Sequence, residues 1–300
     1  MELSDKIIAV GKMQKYIDVH FDDEITLEDL SRAAGYSKYH AARIFRELTG
    51  RTPFETIRAL RLTKAAQILR DSDSKVIDVA LDNGFDSHDG FTKAFARQFD
   101  ITPQKYHKET PAVSWFIHYP IEAYYTLKEG TKPMSKELIS RTMTVTAVER
   151  PARKLILVHS VNATEYFSFC EEMGCSWEGT FNSISEKFDT SALLTLPQNL
   201  IKPGTGNTAS GVEVPLDYNK PIPAGCDVIE LPPCTMLYFQ GATYEDENDF
   251  GEAIGTLWEI MDTYNPTQYG WQYAPELAPY FNFGASTQTG AKMARPVKKI

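Results

Sequence analysis

The sequence predicts an all-α tandem helix-turn-helix domain followed by an α+β domain made of two β-α-β-type repeats. Three observations carry that expectation. One internal repeat occupies the first third at an offset of 49 to 50, a second occupies the last half at an offset of 81, and charge divides unevenly between them. A chain of 300 residues exceeds one ordinary core and suits two domains. The expected division is 1–110, a connector at 111–140, and 141–300.

The first repeat lays Thr26–Pro53 over Lys75–Pro103. Leu27, Asp29, Leu30, Gly35 and Tyr36 fall on Val76, Asp78, Val79, Gly84 and Phe85; after one inserted residue, Ser37, Phe45, Thr52 and Pro53 fall on Ser87, Phe95, Thr102 and Pro103. Thr26 caps a short helix, Asp29 closes a capping box, and Gly35 supplies the left-handed residue that ends it. Ser37 caps a second helix whose core stripe is Ala41, Ile44, Phe45 and Leu48. Its outer face carries Lys38, Tyr39, Ala42, Arg43 and Arg46, a basic face suited to a major groove of double-stranded DNA. In the second unit, Phe91, Ala94 and Phe95 point inward; His88, Asp89, Thr92, Lys93 and Arg97 point outward. Thr52, Pro53 and Glu55 start a long helix running to about Arg70, and Thr102-Pro103 starts a closing one.

Charge agrees with this division. Residues 1–110 hold 17 Lys and Arg against 18 Asp and Glu, whereas 111–300 hold 14 against 22. Residues 32–70 contain nine basic and two acidic side chains, the one strongly basic block in a chain of net charge −9.

Gly35-Tyr36-Ser37, Phe45, Thr49-Gly50, Thr52-Pro53-Phe54, Arg61-Leu62, Ala80, Gly84-Phe85 and Phe95 through Thr102-Pro103 resemble the DNA-binding domain of AraC/XylS transcription regulators over about 6–108. The resemblance implies a monomeric module reading two successive major-groove segments. It assigns base-facing positions to Tyr39, Ala42 and Arg43, then to His88, Asp89, Gly90 and Lys93. Asp89 and Gly90 depart from the polar readers usual there, so the first helix is expected to dominate readout.

Pro111, Pro120, Gly130 and Pro133 interrupt helical pattern in the connector, and its aromatics (Trp115, Phe116, Tyr119, Tyr124, Tyr125) suggest docking on a neighbour. Beyond it, Val148-Glu149-Arg150-Pro151 lies over Ile229-Glu230-Leu231-Pro232, and Val214-Pro215-Leu216 over Arg295-Pro296-Val297. Each copy reads as strand, Pro turn, strand (Lys154–His159; Thr235–Gln240), helix (163–174; 246–264) and two more strands. This arrangement resembles the GyrI-like effector-binding domain over about 141–300. It implies an aromatic pocket with an acidic group, suited to a small lipophilic effector, cationic by preference. The family's late-strand acid falls on Asn282, leaving Glu213 and Glu276 as candidates. Trp177, Tyr218, Tyr244, Trp258, Trp271 and Tyr280 are candidate walls, and seven aromatics crowd 264–283. Alternation aims Glu213 opposite Val212 and Val214.

No H-E-x-x-H, G-x-S-x-G or P-loop is present, and no helix pattern follows Gly204-Thr205-Gly206. No catalytic residue and no cofactor are therefore assigned, and a non-enzyme is expected. The four cysteines form neither C-x-x-C nor zinc spacing, so no metal is expected. The longest aliphatic stretch, Leu155–Val158, is too short for a bilayer, and Met1–Lys6 lacks a signal-peptide start. The resulting expectation is a cytoplasmic regulator with no membrane partner and with contact to RNA polymerase left open. Two alternatives stand beside it: a sequestering protein or hydrolase for a lipophilic toxin, as some GyrI-like proteins hydrolyse strained cyclopropane-bearing toxins, and a C-terminal domain that binds a protein.

Overall fold

A computed structural model describes residues 2–128 and 139–300; Gly130 and Pro133 of the expected connector lie outside them. The described residues form two units, helical and β-rich.

The first unit opens with α1 (Leu3–Val19), then α2 (Leu27–Ala34) and α3 (Lys38–Thr49). Thr26 and Asp29 form the expected capping box, and Gly35 ends α2 at φ +72°. Ser37 stands at the N-cap of α3, but its side chain makes no capping hydrogen bond, which corrects its expected role. Next come α4 (Pro53–Asp71), α5 (Val76–Asp82), α6 (His88–Phe99) and α7 (Pro103–Glu109). Capping follows the sequence chemistry. Thr52 and Glu55 form a box with Pro53 at the first helical turn, Ser87 accepts from Gly90 N–H, and Thr102 accepts from Lys105 N–H.

Two cores flank α4. Val10, Met13, Ile17, Leu30, Ile44, Phe45 and Ile57 make one. In the other, Phe85, Phe91, Phe95, Phe99 and Tyr106 form a chain of ring contacts at 4.7 to 5.6 Å. Tyr106 is sealed deeply enough that burial pushes its hydroxyl up to about 12.

Part of the expected connector belongs to this unit. Trp115 is buried beneath the Arg70 guanidinium, 4.6 Å away, and Phe116 N–H donates to Thr63 Oγ1 at 3.0 Å. Helix α8 (Ile121–Lys128) packs on α1, and Gln14 Oε1 accepts from Ile121 N–H at 2.8 Å.

The second unit contains β1 (Met143–Arg150), β2 (Arg153–His159), α9 (Tyr166–Met173), α10 (Ser176–Asn182), β3 (Ala192–Thr195), β4 (Thr208–Pro215), β5 (Asp227–Leu231), β6 (Cys234–Gly241), α11 (Phe250–Thr263), β7 (Trp271–Tyr273), β8 (Tyr280–Ser286) and β9 (Gly290–Lys299). One antiparallel sheet runs β1-β6-β9-β8-β3-β4-β2-β5, with β7 paired to β9. The helix expected over 163–174 is two helices, because Gly174 at φ +76° stops α9 before α10 begins. The offset of 81 carries β2 onto β6 but drifts by two residues at the last strands. Leu155 faces Glu213, whereas Met236 faces Pro296 rather than Ala294.

Strand alternation divides the sheet into two faces. Ile156, Val212 and Val214 pack beneath Phe169, Trp177 and Phe181, while Leu237, Phe239 and Met293 pack beneath Ala253, Leu257 and Met261. The opposite face holds Leu155, Leu157, Leu194, Met236, Phe281 and Ala294, with Leu200, Ile201 and Ala278 from the loops over it.

Gly211 lies inside β4 where an added Cβ would stand 2.5 Å from Ile156 O and 2.9 Å from Leu157 Cβ. Gly255, on the exposed side of α11, has nothing within 4 Å of such a Cβ. Gly211→Ala is expected to destabilise by about 1–3 kcal/mol or more, since backbone must move. Gly255→Ala should stabilise by up to ~1 kcal/mol. Chemical denaturation of both variants checks the pair; equal effects would contradict this packing.

Candidate DNA-reading surface and effector site

On the first unit, α2, the Gly35 turn and α3 are locked by local bonds: Tyr36 N–H reaches Ser31 O at 3.1 Å, and the Tyr36 ring lies 4.9 Å from His40. This buries Ala41, Ile44 and Phe45 and leaves the opposite face of α3 in solvent. Tyr39 is 91% exposed, so its ring and hydroxyl are free to meet a partner. Arg43 and Arg46 are exposed, with Arg43 Nη2 3.0 Å from His40 Nδ1. They line an open depression of about 600 Å³ with Ala42, Glu47 and Thr52. Lys38 is exposed but ion-paired with Glu28. Lys6 bonds Glu47 at 2.5 Å and holds its carboxyl below the ordinary range.

On α6, His88, Asp89, Lys93 and Arg97 are exposed. Thr92 departs from expectation. It is half-buried, and its buried hydroxyl has no hydrogen-bond partner among the described residues, because its position leans toward the core stripe.

The basic block at 32–70 splits by role. Arg61 bonds Asp23 O at 2.7 Å beneath the Gly84 turn, Lys64 pairs with Asp22, and Arg70 pairs with Asp71. Arg32, Lys38, Arg43, Arg46, Arg51 and Arg58 are exposed.

In the second unit the residues expected to line one effector pocket separate. Trp177 and Tyr218 are buried with α9 and α10, and Tyr244, Trp258 and Trp271 pack around α11. Asn282 points to the helix-bearing face of β8 and accepts from Gly284 N–H at 2.9 Å. Trp258, Tyr273 and Tyr280 surround Arg295, whose guanidinium lies 5.3, 5.6 and 5.2 Å from their rings. That aromatic cage already holds a cation of the chain itself. Glu276 is exposed on a loop and pairs with Lys298 at 3.4 Å. These eight do not gather in one cluster: Trp177 and Tyr218 belong to the group under α9 and α10, Tyr244, Trp258 and Trp271 to the group under α11, and Glu276 stands on an exposed loop.

Glu213 does face the other side, as alternation required, and it is only 5% exposed. Arg153 Nε donates to Glu213 Oε1 at 2.5 Å, and Arg153 is wholly buried. Its other donors reach Pro232 O at 2.8 Å, Pro151 O at 3.3 Å and Cys234 Sγ at 3.4 Å. Burial raises the Glu213 carboxyl despite attraction to Arg153 and Arg150. Around this pair stand Arg150, Asp189, Tyr238 and Lys292, none of them singled out from sequence. The signal for Arg153 was present: it alternates in phase with Leu155 and Leu157.

The fold and exposed face of α3 define a helix-turn-helix DNA-binding module. A model described as a helix-turn-helix domain matches residues 30–109. The transcriptional regulator Rob of Salmonella typhimurium is 37% identical over 106 residues, and the match spans 35% of this chain but only 37% of Rob. The right origin-binding protein of Escherichia coli K12 is 36% identical over 121 residues, 40% of each chain. The regulatory protein SoxS of Salmonella typhimurium is 38% identical over 92 residues, 31% of this chain and 86% of SoxS. The solved DNA-binding domain of AdpA, in complex with a target DNA, is 28% identical over 33% of this chain and 89% of that one, with a TM-score of 0.31. The chain belongs to the AraC/XylS family of DNA-binding transcription regulators.

Two outcomes test these sites. Asp89→Asn should tighten binding to duplex DNA, most at low salt, because a negative charge leaves the neighbourhood of phosphate. Salt-dependent titrations measure it, and loss of binding would make Asp89 a base reader. Arg153→Met should cost about 3–5 kcal/mol at pH 7 by leaving Glu213 buried with only the longer Arg150 contact at 3.6 Å. The folded-state pKa of Glu213 lies above its unfolded value, so the folded state holds more protons and stability rises as pH falls. Losing Arg153 removes the attraction that opposes burial, so the Glu213 carboxyl rises further in the variant, which then gains more stability than the wild type as pH falls. The deficit should therefore shrink toward pH 4.5, the ordinary carboxyl value. A deficit independent of pH in denaturation curves would contradict the assignment.

Proposed function

We propose that this protein is a transcription regulator that reads two successive major-groove segments of double-stranded DNA and is controlled by a small lipophilic effector bound in its C-terminal domain. The observation that carries the DNA reading is the outward face of α3, where Tyr39, Arg43 and Arg46 are exposed and Ala42 is half-buried, held by a capped helix, a left-handed Gly35 turn and a sealed core. In this reading Arg43 contacts a base, while Arg46 and Lys38 grip phosphate; α6 contributes less through His88, Asp89, Lys93 and Arg97.

The effector domain is read as a duplication of the GyrI-like kind. Exchanging β1 to β4 with β5, β6, β8 and β9 leaves the strand order β1-β6-β9-β8-β3-β4-β2-β5 unchanged, which supports a pseudo-twofold pair of modules. The ligand is assigned to the loop-covered face beside Glu213, Arg150 and Tyr238, where the Lys292 and Asp189 side chains keep partial contact with solvent. Hydrolysis is disfavoured, because the buried carboxylate there is already bonded to Arg153 and is poorly placed to exchange protons.

Selection of bound duplexes from a random-sequence pool, followed by titration of single-base variants, tests the DNA reading. Arg43→Ala should weaken binding by about 1–3 kcal/mol and relax preference at one base pair. An equal loss on every variant would make Arg43 a phosphate contact, and failure to enrich any sequence would remove the regulator reading.

A further inference from the structure

Three cations and two carboxylates meet on the loop-covered face of the C-terminal sheet, and the pairing leaves one cation over. Glu213 is taken by Arg153 at 2.5 Å. Asp189 is taken by Lys292, whose Nζ lies 2.7 Å from both carboxylate oxygens. Arg150 is the third cation. It stands 3.6 Å from Glu213 and 3.9 Å from Asp189, within ion-pair range but beyond hydrogen-bond length. Its Nη2 donates to Tyr238 Oη at 2.5 Å, while its Nε has no hydrogen-bond partner among the described residues although its side chain is only 12% exposed. A buried guanidinium edge without an acceptor is costly, and an incoming anion would supply one.

Aromatic rings flank that edge. The Arg150 guanidinium lies over Phe188 at 5.3 Å and Tyr238 at 5.4 Å. Tyr238 stacks on Phe283 at 5.8 Å with 14° between planes, and Phe283 on Phe281 at 5.6 Å and 13°. Lys292 lies over Tyr238 and Phe283, 5.2 and 4.8 Å from their centroids. An entering cation would meet surplus positive charge and two carboxylates already engaged.

We propose that the effector is an aromatic carboxylic acid, its ring lying along the Tyr238–Phe283 wall and its carboxylate accepting from Arg150. This rests on the effector reading above and reverses the cationic preference that the family resemblance implied.

Calorimetric titration of the full chain with matched one-, two- and three-ring aromatic carboxylates, their primary amides and their aminomethyl cations tests it. A carboxylate should bind about tenfold or more tightly than its amide, the margin expected of a charge-assisted hydrogen bond. Arg150→Gln should erase that margin by weakening the carboxylate about tenfold or more beyond any loss in the amide, whose carbonyl accepts only an ordinary hydrogen bond; Arg150→Lys should keep only part, lacking the planar pair of donors. Tyr238→Leu should weaken carboxylate and amide alike. If Arg150→Gln does not fold, Arg150→Lys and Tyr238→Leu carry the comparison. Amides or cations binding as tightly as carboxylates, or a margin intact in a folded Arg150→Gln, would overturn the assignment and leave the effector reading standing. Binding of no compound of any charge would remove the effector reading and this inference with it.

Discussion

The C-terminal sheet is organised around a single buried guanidinium. Arg153 leaves β2 on the face of Leu155 and Leu157, where no water can solvate it, so each of its donors must be met by protein. Glu213 of β4 meets one, and the carbonyls of Pro151 and Pro232 meet another. Those carbonyls belong to the β1–β2 and β5–β6 turns, so one side chain ties both Pro turns to the centre of the sheet. Once Arg153 is committed in this way, Glu213 is no longer a free charge. The character of the surrounding face passes to Arg150, Lys292 and the rings beside them.

A similar commitment shapes the helical unit. Its basic block is dense enough in sequence to suggest a uniformly DNA-facing surface, yet Arg61, Lys64 and Arg70 are drawn into turn carbonyls, Asp22, Asp71 and the Trp115 ring. What remains outward on α3 is narrow: Tyr39, Arg43 and Arg46, beside Lys38 in its pair with Glu28. Phosphate attraction scales with the charges that reach the duplex rather than those in the sequence. In the proposed reading, so small an outward set would make discrimination depend on few contacts, and the acidic Asp89 on α6 would narrow it further.

The helical unit was legible because its signals are local. Thr26 with Asp29, Gly35, Thr52 with Pro53 and Glu55, and Ser87 each act within one helical turn, and period 3.6 separates Ala41, Ile44 and Phe45 from Arg43. Helix α1 escaped notice because it begins without a capping side chain, although Val10, Met13 and Ile17 keep the spacing. In the β-rich unit, alternation placed Glu213 correctly but could not name its partner, since Arg153 meets it only through strand pairing. The same gap misled the reading of the aromatics. Trp258 and Tyr280 look like walls for a foreign cation until β9 brings Arg295 among them and Tyr273.

If the sheet is the duplication proposed above, a symmetric strand order and an asymmetric chemistry together account for one proposed site on it rather than two. The strand order is unchanged when its two halves are exchanged, so each position on the loop-covered face has a counterpart. At the sequence offset of 81 the counterpart of Glu213 is Ala294, and by strand pairing it is Pro296; neither carries charge. Leu231 answers Arg150, Cys234 answers Arg153, and Leu157 answers Tyr238. One half thus supplies the buried pair and the unmatched guanidinium, while the other supplies Tyr238, Phe283 and Lys292. A ligand touching both halves can distinguish their relative arrangements, and only a ligand that binds two states unequally can shift a protein between them. In the proposed reading, the divergence of the two halves is what would give a symmetric strand order a single directional contact.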